Sequence, residues 1–106
     1  EPNGLAYDTR RHALILMHDD RTVQWIDAAS WRPLPIAGTV SGTMPDHLYY
    51  DARNDRLFVT SGRNQRDGKL SAYDVPSLDM TASYTLQGAD AIEGVAVDRR
   101  DPQARG

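Results

Sequence analysis

Short apolar runs separated by turn-forming residues recur along the whole chain. The first part contains four such runs, "GLAYD", "ALILM", "TVQWID" and "RPLPIAG", joined by polar segments such as "TRRH" and "HDDR". The next part repeats the pattern with "HLYYD", "RLFVT", "KLSAYD" and "DMTASYTLQG". The runs are rich in β-branched and aromatic residues, and no window places apolar residues at helical spacing over several turns. The pattern predicts an all-β chain with four antiparallel strands in each unit.

A recurring motif marks the entry to each unit. "PNGLAYD", "PDHLYYD" and "IEGVAVD" share a polar residue, an aliphatic residue and a final aspartate. The interval is about 45 residues, which is typical of β-propellers and other repeat architectures. We expect a single partial β-propeller domain over 1–106, with one blade at 1–42, a second at 43–91 and the start of another at 92–106.

The number of blades predicts that the ring is incomplete. Propellers usually close with about four to eight blades, whereas the sequence supplies roughly two and a third. Each blade buries its faces against its neighbours, so fewer blades would leave apolar sheet faces exposed. We therefore expect the remaining blades to come from a longer chain, or the ring to be completed by self-association.

Strand position within a blade follows from composition. The run "ALILM" is continuously apolar, which predicts a strand covered on both faces. Pro33 and Pro35 lie in the fourth run, and proline cannot donate to a sheet ladder, so this run is expected at a sheet edge. Four aromatic residues are predicted to pack in the core or between blades: Trp25, Trp31, Phe58 and Tyr73.

Charge and composition remove several classes of function. The net charge is -3, so the basic patch of a nucleic-acid-binding protein is missing. The longest apolar run is far shorter than the roughly 20 residues of a membrane-spanning helix, and we expect no membrane span. The chain has no cysteine, which excludes disulfides and thiolate chemistry and fits oxidising and reducing compartments alike.

Antiparallel strands alternate in direction, so the loops between blades and those between second and third strands share one end of the sheets. That end is the predicted binding face, for a small molecule or a protein. Its candidate ligand-contacting residues are His18, Asp19, His47, Arg63, Asn64 and Arg66. At the opposite end Asp8, Asp51 and Asp98 each follow a first strand, where aspartate is expected to accept hydrogen bonds from turn amides.

The stretch "TVQWIDAASWRPLPIAG" followed by "MPDHLYYDARNDRLFVTSG" resembles the YVTN family of bacterial β-propeller repeats. The resemblance implies a repeat scaffold for binding rather than one chemistry. Members of this family are often exported, which implies a periplasmic or extracellular location. A scaffold of this kind is expected to require no cofactor.

A narrower similarity concerns "EGVAVD" and "PNGLAYD", which are similar to two motifs of the gluconolactonase and senescence-marker-protein family. In that family the Glu and Asn of such motifs coordinate a divalent cation, which implies Glu93 and Asn3 as ligands. Asp46 occupies the equivalent place in the second unit, and oxygen ligands from several blades suit Ca²⁺. The alternative function is thus a calcium-dependent lactonase or esterase. The same residues are also typical of turns, where they satisfy backbone N–H groups, and we favour that interpretation.

Overall fold

The computed structural model describes residues 2–40, 45–61 and 68–86. These residues form eight β-strands and no helix, which confirms the all-β prediction. None of them belongs to a helix that is long and apolar enough to cross a membrane. The strands are β1 (Pro2–Asp8), β2 (Ala13–His18), β3 (Thr22–Asp27), β4 (Pro33–Thr39), β5 (Pro45–Asp51), β6 (Arg56–Ser61), β7 (Gly68–Asp74) and β8 (Met80–Leu86).

The strands form two antiparallel sheets of four. The first sheet has the order β1-β2-β3-β4 and the second has the order β5-β6-β7-β8, so each strand pairs with its neighbours in sequence. Strand β4, which contains Pro33 and Pro35, lies at an edge as expected. We call the end at which β1, β3, β5 and β7 begin the upper end, and the other the lower end.

The two sheets pack face to face and share one hydrophobic core. We call the face of each sheet that bears Leu5 and Tyr7, or their counterparts Leu48 and Tyr50, the leading face, and the opposite face the trailing face. The trailing face of the first sheet packs on the leading face of the second, and β1 lies against β5. The core residues are Ala13, Ile15, Met17, Val23, Trp25, Ile36, Val40, Leu48, Leu57, Val59, Tyr73 and Val75.

Among residues 2–40, 45–61 and 68–86, no second sheet packs on the leading face of the first sheet. Leu5 is 61% exposed, whereas its counterpart Leu48 is 5% exposed because the first sheet packs over it. Leu14 and Leu16 on the same face of β2 are half-buried, while Ile15 between them is fully buried. The prediction that "ALILM" is covered on both faces is therefore not met within the described residues, where only its trailing side meets another sheet.

The predicted aromatic residues also differ in burial according to whether a second sheet lies against them. Trp25 and Tyr73 are buried between the sheets, as predicted, and Phe58 is half-buried. The prediction for Trp31 is not met within the described residues, where its side chain is 70% exposed. Trp31 lies in the turn before β4 with a backbone φ of 63°, and Leu78 takes the equivalent place in the second sheet with a φ of 61°.

Leu78 shows what this turn position contacts when a neighbouring sheet is present. Its Cδ1 atom approaches Gly38 of β4 so closely that a Cβ atom at Gly38 would lie 2.8 Å from it. Glycine thus leaves the space that the leucine side chain fills at the edge of the first sheet. Trp31 is exposed because no second β4-like strand lies beside it among the described residues.

We predict that the matched truncations Leu48→Ala and Leu5→Ala have very different effects on the 106-residue chain. Leu48→Ala should lower the free energy of unfolding by about 2–5 kcal/mol, because it removes buried methyl groups and leaves a cavity. Leu5→Ala should change it by less than about 0.5 kcal/mol, because Leu5 is mostly exposed. Urea unfolding of both variants measures the difference, and equal losses would contradict the packing of the two sheets.

Candidate functional site

A buried carboxylate organises the lower end of the first sheet. Asp8 ends β1 and is 0% exposed. Its Oδ1 accepts hydrogen bonds from the backbone N–H groups of Arg10 (2.9 Å) and Arg11 (3.0 Å), and its Oδ2 accepts one from Trp25 Nε1 (2.8 Å). Asp8 therefore holds the turn as predicted and also fixes the tryptophan on β3.

The second sheet repeats the turn but not the tryptophan contact. Asp51 Oδ1 accepts hydrogen bonds from the backbone N–H groups of Arg53 (3.2 Å) and Asn54 (3.4 Å). Its Oδ2 accepts one from Asn54 Nδ2 at 2.9 Å. The turn prediction is confirmed for Asp8 and Asp51, while Asp98 lies outside the described residues.

The lower turns of the two sheets are joined by ionic and hydrogen-bonded contacts, which we call the inter-sheet clasp. Arg11 donates to Asp8 at 2.8 Å and forms two parallel hydrogen bonds with the carboxylate of Asp55 in the second sheet, both of 2.7 Å. The hydroxyl of Tyr50 donates to Asp55 at 2.7 Å. Arg10 adds a 2.6 Å hydrogen bond to the carbonyl oxygen of Ala52.

The clasp fixes the charge states of its members. Burial alone would raise the pKa of Asp8, but hydrogen bonds from Arg11 and Trp25 outweigh it and place the pKa below its ordinary value of 3.8. The hydrogen bonds from Arg11 likewise lower the pKa of Asp55, and Asp55 raises the pKa of Arg11. Burial, followed by the hydrogen bond to Asp55, raises the pKa of Tyr50. At neutral pH both carboxylates are ionised and the arginine is charged.

The upper end of the first sheet carries a polar depression of different chemistry, which we call the upper cleft. It consists of two open, adjoining cavities of about 460 and 440 Å³ that share His18 and Thr22. Strand β2 ends at His18 and strand β3 begins at Thr22, so the connecting turn brings the two together. The remaining lining residues are Asp19, Asp20, Val23, Gln24, Ala37, Gly38 and Thr39.

Polar groups in the upper cleft differ in how far they are already engaged. Asp20 Oδ1 accepts hydrogen bonds from Thr22 Oγ1 (2.6 Å) and Thr22 N (3.0 Å), which lower its pKa, and His18 lowers that pKa further. The imidazole of His18 and the carboxylate of Asp19 make no hydrogen bond with the described residues. The cleft therefore offers a hydrogen-bonding ring and a carboxylate to a ligand.

The structure brings together two of the predicted ligand-contacting residues, His18 and Asp19, in one cleft. His47 lies in β5, where its backbone N–H donates to Thr60 Oγ1 at 3.2 Å and its ring centroid is 6.4 Å from that of Tyr49. The other predicted residues, Arg63, Asn64 and Arg66, lie outside the described residues.

The predicted calcium ligands lie largely beyond what the structure describes. Asn3 is in β1 and Asp46 is in β5, each near the upper end, but the description does not extend to their side chains. Glu93 is outside the described residues. Within 2–40, 45–61 and 68–86 no group of three or more His, Asp or Glu side chains is placed to hold a metal ion.

Sequence reasoning missed the inter-sheet clasp. It treated Asp8 as a turn residue and did not consider the two arginines that follow it. A signal was present, because "DTRRH" places adjacent arginines after a buried strand and "DARND" places an aspartate at the end of the next lower turn. Pairing those turns required the docking of one sheet on the other, which local patterns do not contain.

No protein-family model matches the chain, and no curated protein is significantly similar to it. A functional assignment therefore depends on the geometry of the described residues. Two features of these residues are relevant to function: the inter-sheet clasp at the lower end and the open upper cleft.

We predict that Arg11→Met destabilises the chain strongly. The substitution keeps much of the side-chain volume but leaves Asp8 and Asp55 without their shared cation, and removing one partner of a buried pair costs about 3–5 kcal/mol. Arg32→Met is the matched control, because Arg32 is exposed and should change the free energy of unfolding by less than about 0.5 kcal/mol. Chemical denaturation compares the two, and a similar small effect would show that the clasp is not a stabilising contact.

We predict that acid weakens the clasp. Asp8 and Asp55 have lower pKa values when folded than when unfolded, so their contribution is complete at neutral pH and is lost as pH falls below about 5 and through the folded pKa values. The stability gap between the native chain and Arg11→Met should therefore narrow between neutral pH and about pH 3. Other aspartates titrate in both proteins, so the gap isolates the clasp; a constant gap would contradict it.

Proposed function

We propose that the chain is part of a β-propeller of YVTN-like type and that it acts as a binding scaffold through its upper end. The observation that supports this most directly is the stacking of two sheets with the same strand order, with first strand β1 against first strand β5. Successive blades of a propeller stack in this way around a central axis. The remaining blades come from the rest of a longer polypeptide or, less economically, from further copies.

The polar groups at the two ends of the sheets are engaged differently, and this difference supports the scaffold function. The lower end uses its charged groups internally, because Arg10 and Arg11 bond to the second sheet. In the upper cleft, by contrast, neither the imidazole of His18 nor the carboxylate of Asp19 makes a hydrogen bond with the described residues. Binding residues commonly lie on loops that a rigid framework positions, and the clasp supplies that rigidity.

The chemistry of the upper cleft defines which ligands it suits. Imidazole, carboxylate, hydroxyl and amide groups line it, and Asp19 and Asp20 make it acidic. Such a surface hydrogen-bonds hydroxyl groups and attracts positively charged groups. Both a small polar molecule and a basic segment of a protein satisfy this description.

The calcium-dependent hydrolase stays a prediction of the sequence. Its candidate ligands are Asn3, Asp46 and Glu93, and a cation held by them would polarise an ester carbonyl. None of these three side chains is among those that the structure describes, so no geometric observation favours this function over the scaffold.

We predict that the upper cleft binds polar probes and the lower end does not. The test is a titration of the ¹⁵N-labelled chain, followed by amide chemical shifts, with a lysine-containing tripeptide and with a glucose oligosaccharide. Shift changes at His18, Asp19 and Thr22 are expected with at least one probe, because these residues line the cleft. The amides of the 28–32 turn at the lower end serve as an internal reference and should not respond.

A matched variant and a cation separate the two functions. Asp19→Asn removes the unpartnered charge without altering a hydrogen bond of the fold, so it should weaken binding of the tripeptide. Millimolar calcium chloride, added in a thermal unfolding experiment, should raise Tm if the hydrolase hypothesis holds, since a cation bound only by the native state stabilises it. A lack of response of the cleft to both probes, together with calcium-dependent stabilisation, would replace the scaffold proposal with the hydrolase.

A further inference from the structure

The leading face of the first sheet has the features of a docking surface. It carries three of the large exposed apolar side chains of the described residues, Leu5, Tyr7 and Trp31, which are 61%, 43% and 70% exposed. Each occupies a position whose counterpart in the second sheet packs against the first sheet. The contact between the two sheets is therefore a direct guide to what covers this face.

Leu48, Tyr50 and Leu78 are those counterparts. The first sheet buries Leu48 to 5% exposure, and Tyr50 and Leu78 pack against the same core. In all three cases the covering surface is the trailing face or the edge strand of an antiparallel four-stranded sheet. Continuity of the same packing predicts that another sheet of this kind covers Leu5, Tyr7 and Trp31.

The lower turn of the first sheet differs from that of the second in one respect. His12 stands where Asp55 stands, and both have a left-handed backbone, with φ of 51° and 53°. This conformation favours Asp, Asn and His among residues other than glycine. The hydroxyl groups of Tyr7 and Tyr50 contact the two residues, with Tyr7 Oη 3.3 Å from His12 Nδ1 and Tyr50 donating to Asp55 at 2.7 Å.

This exchange reverses the hydrogen-bonding character of the surface. Asp55 offers two acceptor oxygens, and the guanidinium of Arg11 fills both. When Tyr7 donates to His12 Nδ1, the proton of the neutral ring is on Nε2, which makes it a donor. A guanidinium has only donors, so a sheet with an arginine at the Arg11 position would not pair with His12.

We propose that the leading face of the first sheet binds the trailing face of another four-stranded antiparallel sheet of the same protein, and that this sheet presents a carboxylate to His12. The inference depends on the proposed propeller, in which such a sheet exists. It adds the chemistry of the contact, a carboxylate facing a histidine in place of an arginine facing an aspartate.

In the sequence, the residue at the Arg11 position varies between the three units, and in one of them it is an aspartate. The turn "DTRR" has Arg11 three residues after Asp8, "DARN" has Asn54 after Asp51, and "DRRD" has Asp101 after Asp98. Two of the three residues at this position therefore carry a side-chain oxygen that accepts a hydrogen bond. The covering sheet also needs room for Trp31 at its edge strand, as Gly38 leaves room for Leu78.

The first experiment measures whether the leading face of the first sheet is covered in the full-length protein that the gene encodes. The 106 residues contain no cysteine, and Leu5→Cys adds a thiol whose labelling by a maleimide, compared with that of the unsubstituted protein, reports exposure. Ala29→Cys, in the exposed turn after β3, is the accessible reference, and Leu48→Cys is the buried one. We expect Leu5→Cys to be protected like Leu48→Cys at every protein concentration.

Two results of this labelling experiment would overturn the proposal. Labelling of Leu5→Cys at the rate of Ala29→Cys would show that nothing covers the face. Protection that disappears on dilution would show that a second copy of the chain is the occupant, rather than a sheet of the same polypeptide.

The second experiment tests the charge of the covering group. His12→Asp and His12→Asn are compared by thermal unfolding in the same protein, and both substitutions suit the left-handed backbone. Facing a carboxylate, His12→Asp should lower Tm by several degrees more than His12→Asn. The 106-residue chain supplies the baseline for the altered contacts of residue 12 with Tyr7 and with the Asp27 carboxylate, whose pKa His12 lowers, and the difference between the two substitutions should be smaller there than in the longer protein.

A higher Tm for His12→Asp than for His12→Asn would show that a cation faces this position, and equal values would show that no charge does; either overturns the carboxylate. These outcomes do not decide whether the proposed binding function of the upper end is correct. The probe titration of the upper cleft involves the opposite end of the sheets and is independent of the leading face.

Discussion

The burial of the Asp8 carboxylate is the constraint from which the arrangement of the two sheets follows. A charge removed from water is tolerated only when hydrogen bonds and an opposite charge replace its hydration. Turn amides and Trp25 supply part of this replacement, and Arg11 supplies the cation. Because a guanidinium has more donors than Asp8 can accept, its remaining N–H groups bind Asp55 of the second sheet. A local requirement of one turn thus becomes the contact that orients one sheet on the other.

Apolar packing and the clasp contribute different properties to this contact. The side chains between the sheets supply most of the stabilising free energy, since burial of apolar area is non-directional and large. The clasp contributes orientation, because two parallel hydrogen bonds between guanidinium and carboxylate permit a narrow range of geometries. Its members are concentrated at the lower end. The upper end is consequently the part of the first sheet where polar side chains, such as His18 and Asp19, are available for a ligand.

Local pattern predicted the strands well and their association poorly. Four strands in each unit, the edge position of β4 and the turn role of Asp8 follow from alternation, proline and Asx chemistry, which act over a few residues. The position of the neighbouring residues His18 and Asp19 at the upper end followed from strand direction. The clasp and the exposure of Trp31 did not follow, because both depend on which sheet faces which across long sequence separations.

The left-handed residue at the end of each lower turn has a consequence for folding fidelity. Sheets of similar shape and sequence compete for the same partners during folding, and repeat proteins are prone to misassembly for this reason. His12 and Asp55 share one backbone conformation but differ in hydrogen-bonding capacity, since an ionised carboxylate only accepts hydrogen bonds whereas an imidazole also donates one. In the proposed contact, exchanging the residue at this position would change which neighbouring sheet is accepted. Such a turn would help to determine which sheet packs beside which during assembly.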